Sequence, residues 1–206
     1  MALFTEERLR SRVQNQIQKS QLGNYYDSSK IKAKLLLEKS LNEQRTFSGV
    51  NKKYDIFLSH STDDDELVTG LKLEIADMGY SVYIDWIEDP ELKRANVTKH
   101  TALLLQERMK NCKSLIYAFS ENAVNSKWMP CELGYFDGIK GTVAVLPISK
   151  SSKSDFNGSE YLGIYYYIQI NTIQGANNHM HLWIHETSSK YTLFKNWLVG
   201  NKPTQK

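Results

Sequence analysis

Cysteine is scarce in this sequence: Cys112 and Cys131 are the only two in 206 residues. So few thiols in a chain of this size build no disulfide framework, and neither belongs to a CxxC pair. Both are expected as buried thiols. Long hydrophobic runs are missing too. No stretch of eighteen or more apolar residues occurs, which leaves no candidate for a bilayer-spanning helix. The opening MALFTEERLRSR puts acids and arginines where a secretory signal needs an apolar core. Together these absences set the expectation of an intracellular, cytoplasmic protein. The hydrophobic share of 41% and charged share of 24% are those of a soluble globular chain, and the length suits one domain with an extension.

Three motif families are absent as well. There is no GxxxxGK[ST] to cradle phosphates and no GxGxxG after the first apolar run, so phosphate-loop and Rossmann readings fall. A phosphorelay receiver would need acids at the ends of its first and third strands. Here those ends read Ser59-His60-Ser61 and Phe119-Ser120. Dense basic clusters are also lacking. The net charge of +3 is carried by residues 1–50, with nine Lys/Arg against five Asp/Glu, while the remainder has 17 against 18. A basic arm without interleaved aromatics gives little footing for nucleic acid, and neither a nucleic-acid nor a membrane partner is expected.

What is present divides into an extension and an α/β domain. Residues 5–20 are polar and helix-prone, with the narrow apolar stripe Leu9, Val13 and Ile17, expected to dock lightly or pair with another chain. After Gly23 and Asn24, Ser28 or Ser29 can cap a second helix through Leu41, and Thr46 to Lys53 reads as a linker. Residues 1–50 are thus assigned to an N-terminal helical extension and linker, and 51–206 to the domain. From Tyr54 onward segment types alternate. Strands are expected at Tyr54–Ser59, Ser81–Trp86, Lys113–Ser120, Thr142–Ser149 and Tyr165–Ile170. Helices are expected at Leu67–Met78, stopped by Gly79, at Thr101–Lys110, after Ser126, and from Ser188 or Ser189 through Leu198. This alternation argues an open, mostly parallel sheet with helices on both faces. Such sheets bind ligands beyond the carboxyl ends of their strands, at the switch in strand order. Ser59 to Ser61, Asp85, Trp86 and the stretch from Ser120 all fall on that rim.

The stretch SENAVNSKWMPCELGYFDG, Ser120 to Gly138, sets one acid, Glu132, among residues that otherwise read as packing. Ser126 can cap the helix and Pro130 confines its start to within about a turn. Trp128 and Glu132, four apart, share one helical face. Two readings are open on spacing alone: an ordinary early-helix acid favoured by the dipole beside a core tryptophan, or a carboxylate and an indole lining one pocket. The segment HMHLWIH, His179 to His185, holds three histidines. Its two-residue spacing is a strand's alternation and no acid or cysteine completes a ligand set, so no metal is expected.

YDIFLSHSTDD, VYIDW and above all the serine-rich turn followed by SKWMPCEL resemble the Toll/interleukin-1 receptor (TIR) domain family, in order and spacing from about Tyr54 to Leu198. The resemblance implies a flavodoxin-like fold with five mostly parallel strands flanked by helices. It further implies one of two functions. Some members assemble signalling complexes without chemistry; others cleave NAD+ between nicotinamide and ribose, and stand-alone bacterial members of this size resemble the signal-producing component of Thoeris-type anti-phage systems. On the enzymatic reading the family's catalytic glutamate maps onto Glu132 and its helix tryptophan onto Trp128. Substrate contacts are then expected from Ser59, His60 and Ser61, from Asp85 and Trp86 at the mouth of a loop, and from Ser126. NAD+ would be substrate, with no separate cofactor. Products would be ADP-ribose, a cyclic isomer or a conjugate, sensed by a downstream effector, with self-association through TIR contacts. Bland roles stay open for His60 as a cap on the sheet, Trp86 as a loop anchor and Asp85 as a turn cap.

Overall fold

The computed structural model describes residues 2–19, 52–89, 98–151, 156, 158, 160–173 and 179–206. The expected second helix after Ser28 or Ser29, and the loop around Pro90, lie outside the described residues.

Strand β2, Tyr54–Ser59, forms where the sequence packs β-favouring residues in alternation: Ile56 and Leu58 enter one core layer and Phe57 the other. A short 3-10 turn, Thr62–Asp64, leads into helix α2, Asp65–Asp77. Leu67, Leu71 and Ile75 are buried along its inner stripe, the spacing of a helix face. Gly79, at φ 89°, ends it in the left-handed conformation that glycine adopts without strain. β3 covers only Val82–Tyr83, because Asp85–Glu88 turns into a short helix, α3; the expected strand to Trp86 is therefore corrected. Helix α4, Lys99–Lys110, strand β4, Cys112–Phe119, helix α5, Trp128–Lys140, and strand β5, Val143–Ser149, follow as the alternation predicts.

The sheet runs β3-β2-β4-β5 and continues to β6, Tyr166–Thr172, with every neighbour in this part parallel. That is the flavodoxin-like order 2-1-3-4-5. Beyond it the sheet continues antiparallel through β7, Met180–His185, and β8, Lys190–Leu193, to β9, Thr204–Gln205. The long closing helix expected from Ser188 or Ser189 is thus mostly strand. Thr192 and Tyr191 pair with Ile184 and His185, and only α6, Phe194–Trp197, is helical. Pairing of β-branched and aromatic residues with a waiting edge outweighs local helix signals. HMHLWIH takes the strand alternation, with the His185 ring stacked between Tyr167 and Tyr191.

The N-terminal helix is built into the domain. α1, Glu6–Lys19, sets Leu9, Val13 and Ile17 against the core, and full burial of such side chains is worth roughly 1.5–3 kcal/mol each. Before it, β1, Phe4–Thr5, pairs in parallel with Ile148 and Ser149 of β5, while Ala2 bridges Ile170 of β6. β5 and β6 pair with each other only at Ala144–Tyr166 and Val145–Tyr167, so residues 2–5 fill the gap where the two strands part. The arginines of α1 face acids of α2: Arg8 meets Glu74 at 2.7 Å, Arg12 meets Asp77 at 2.9 Å, and Arg10 contacts Glu66. The basic charge of this helix is answered inside the fold.

Candidate active site

The switch in strand order lies between β2 and β4, since the chain leaves β2 for β3 on one side and reaches β4 on the other. β2 ends there at Ser59, in register with Tyr117 of β4. α5 covers this face. Ser126 accepts a hydrogen bond from the Met129 N–H at 3.3 Å, and Pro130 falls in the first turn, where its missing N–H costs nothing. The buried stripe of α5 is Met129, Glu132, Leu133 and Phe136. Glu132 therefore occupies a position that packing would give to an apolar residue. It is 2% exposed, and it lies past the first helical turn, where the dipole fades. The Ser59 hydroxyl donates to Glu132 Oε2 at 2.6 Å, fixing the carboxylate against the sheet edge.

The next residue serves the other half of the rim. His60 is fully buried; its Nδ1 lies 2.8 Å from the Leu58 carbonyl and its Nε2 accepts from Trp86 Nε1 at 3.0 Å. An indole N–H can only donate, so Nε2 is the acceptor and Nδ1 carries the proton. The ring is thereby held as one neutral tautomer. Asp85 Oδ1 stands 3.6 Å from the same Nε2. The helical turn of α3 is what brings residues 85 and 86 together onto His60.

α3 is pinned at its far end as well. Glu88 accepts from the Tyr54 hydroxyl at 2.5 Å, and Asp89 accepts from Tyr83 at 2.7 Å and from Arg108 through Nε at 2.8 Å and Nη2 at 2.7 Å. Burial, then Asp89's charge, holds the Tyr83 phenol well above its usual range; the hydrogen bond to Asp89 raises Arg108. Burial pushes Lys72, 3.8 Å from Glu88, down to about 8.

The sequence-nominated residues thus form two units, Ser59 with Glu132 and His60 with Trp86 and Asp85, joined because residues 59 and 60 are consecutive. The others have local duties. Ser61 caps the 3-10 turn by accepting from the Asp63 N–H at 3.4 Å, Ser126 starts α5, and half-buried Trp128 packs on the core beneath α5. Cys112 is buried, as expected, and its thiol is pushed up to about 12 by burial. Cys131 is exposed, against expectation, because it lies on the outer side of α5 beside Glu132.

Two features escaped the sequence. Asp64 is buried and accepts from Ser120 and from Asn122 Nδ2 at 2.7 Å, tying the loops after β2 and β4 together. Tyr117, 2% exposed beside Ser59, is raised by burial, by its hydrogen bond with Tyr161 and by the charge of Glu132. Only the strand order reveals either one. Among the described residues no group of three His, Cys, Asp or Glu side chains is placed to hold a metal ion, and no helix is long and apolar enough to cross a membrane.

Comparison with known proteins bears on this arrangement. A family model described as TIR domain matches residues 56–179. A Bacillus cereus (strain MSX-D12) protein named as a probable 3' cyclic ADP-D-ribose synthase, ThsB', is 49% identical over 202 residues, covering 98% of this chain and 100% of that protein. A Cytobacillus dafuensis protein named as a candidate cyclic ADP-D-ribose synthase is 29% identical over 109 residues, 52% of this chain and 29% of its own length.

Proposed function

This chain belongs to the TIR domain family, and we propose that it cleaves the nicotinamide–ribose bond of NAD+ and releases a cyclic ADP-ribose isomer as an anti-phage signal. The observation that carries the reading is a buried acid, Glu132, set on the packed stripe of α5 and held by Ser59 at the carboxyl edge of the sheet. The naming of the B. cereus relative, matched along its whole length, supports the same chemistry.

One carboxylate suffices for a physical reason. Glycosidases generally need two acids, one of them to protonate the leaving oxygen. Nicotinamide in NAD+ is already cationic, so the C–N bond breaks with its electron pair passing to the ring nitrogen, and a neutral base departs. The remaining task is to steady an oxocarbenium-like ribose and hold its hydroxyls. An anion fixed in a site shielded from water does both, since its charge is screened little there and needs no reorganisation. Glu132 takes that role and Ser59 positions it. Trp128 supplies an apolar wall; His60, Ser61, Asp85, Trp86 and Ser126 complete the substrate's surroundings. NAD+ is substrate and no further cofactor enters. The product acts on a downstream effector in the cytoplasm, and self-association through TIR contacts accompanies activity.

The test is to incubate pure protein with NAD+ over a range of protein concentrations and follow nicotinamide and cyclic product by mass spectrometry. Glu132→Gln is expected to lower nicotinamide release by 10³-fold or more. Equal turnover by wild type and variant would overturn the reading, as would silence of the wild type at high concentration and in lysate of phage-infected cells.

A further inference from the structure

Apart from the Glu132 unit, a cavity of about 550 Å³ opens at the carboxyl ends of β4 and β5. Its size is within the usual range for small-ligand sites. Phe119, Val124, Pro147, Phe156 and Leu3 give it apolar walls, and Lys150, Glu121, Glu6 and Ser120 give it a polar rim. The rings of Phe119 and Phe156 meet edge to face, with centroids 5.7 Å apart, and Val124 is 71% exposed although apolar. Leu3 and Glu6 reach the cavity because residues 2–5 are wedged between β5 and β6.

Its position relative to Glu132 follows from the register. Ser59 pairs with Tyr117, and Phe119 lies two residues further along β4, on the same face, opposite Pro147. With strands about 4.8 Å apart and about 3.3 Å per residue along a strand, the Cα atoms of Phe119 and Ser59 are roughly 8 Å apart. A dinucleotide whose nicotinamide ribose is at Glu132 can place its other nucleoside in this cavity.

Resting on the function proposed above, we infer that this cavity is the subsite for the adenosine monophosphate half of NAD+, and that its occupancy directs the reaction to ring closure. A flat base fits between aromatic and aliphatic walls, Glu6 accepts from its exocyclic amine or from ribose hydroxyls, and Lys150, paired with Glu121 at 2.6 Å on the open rim, exchanges that exposed partner for the phosphate. Cyclisation requires a hydroxyl of the adenosine ribose to approach the nicotinamide-side ribose carbon to about 3–3.5 Å. The C–N bond breaks and its pair leaves with nicotinamide. A C–O bond then forms at the same carbon, and the hydroxyl proton passes to the Glu132 carboxylate and on to solvent. No oxidant or reductant is involved. An adenosine seated in the cavity with its pyrophosphate bent turns a ribose hydroxyl toward that carbon; an adenosine left loose yields the carbon to water.

Val124→Trp fills the cavity from its exposed side, and Lys150→Ala removes its cation, neither touching the core. The probes are adenosine 5'-monophosphate, titrated against labelled protein by NMR, and NAD+, with the ratio of cyclic product to ADP-ribose read by mass spectrometry. Wild type is expected to show shifts at the amides of Val124 and Lys150. Val124→Trp is expected to weaken nucleotide binding and raise KM for NAD+ by tenfold or more, and to move product toward ADP-ribose; Lys150→Ala is expected to do so by about threefold. Unchanged binding, KM and product ratio in Val124→Trp would overturn the inference, as would wild-type shifts confined to other residues. Glu132→Gln separates the two ideas, since it tests nicotinamide release while leaving nucleotide binding to report on the cavity alone.

Discussion

Ser59 donates its hydroxyl proton to Glu132 Oε2 across 2.6 Å, joining the end of β2 to the buried face of α5. Removing that donor leaves a buried carboxylate short of one partner, at a cost of about 1–3 kcal/mol. Ser59→Ala is therefore expected to lower kcat for nicotinamide release by 10- to 100-fold with KM nearly unchanged, since the carboxylate is still present but no longer aimed. Ser59→Thr, which keeps the hydroxyl, should recover part of the loss. Equal kcat in Ser59→Ala and wild type would sink the positioning role.

The histidine beside it makes a different prediction. Trp86 Nε1 reaches His60 Nε2 at 3.0 Å, and Nδ1 is engaged by Leu58. In ¹⁵N NMR the ring of His60 should appear as the Nδ1-protonated neutral tautomer. Trp86→Phe deletes the indole N–H that donates to Nε2, and is expected to allow the second tautomer or imidazolium to appear. An Nε2-protonated ring in the wild type would contradict the hydrogen-bond assignment.

α1 touches α2 at a residue chosen for its lack of a side chain. A Cβ added to Gly70 would stand 2.4 Å from the Leu9 carbonyl oxygen, a distance at which backbone must move. Gly70→Ala, neutral or better for an isolated helix, is expected here to destabilise by about 1–3 kcal/mol through overpacking, lowering Tm by roughly 3–10 °C. Thermal unfolding by circular dichroism reads this directly, and a Tm at or above wild type would show that α1 is free to shift.

Gly70 also marks what a sequence conceals. The parallel half of the sheet was legible, because each apolar run and each helical stripe declares its own period. Glu132 was legible too, as an acid on an apolar stripe. Partnerships between distant segments were not: nothing local announces that residues 2–5 slot between β5 and β6, that Arg8 and Arg12 meet Glu74 and Asp77, or that Asp64 gathers Ser120 and Asn122. β8 was misread for the same reason. Its strand state depends on the edge of β7, which local propensity does not encode.

Lys72 supplies a prediction whose sign depends on pH. Its Nζ is buried with no hydrogen-bond partner among the described residues, 3.8 Å from Glu88, and burial lowers its pKa from 10.5 to about 8. Above about pH 10.5 the amine is neutral in folded and unfolded chains alike, and the shift has no effect. As pH falls from 10.5 to 8 the unfolded chain takes up a proton that the folded chain does not, so stability declines; below 8 both are charged and the loss is complete. At about 1.4 kcal/mol per pKa unit the full loss is on the order of 3 kcal/mol. Lys72→Met keeps the length of the stem and leaves Glu88 its bond from Tyr54. It is expected to raise Tm at pH 7, with the gain shrinking between pH 8 and 10.5 and vanishing above. A gain that persists unchanged at pH 10.5 would assign the effect to packing, and no gain at pH 7 would mean that the attraction of Glu88 outweighs the cost of burying the charge.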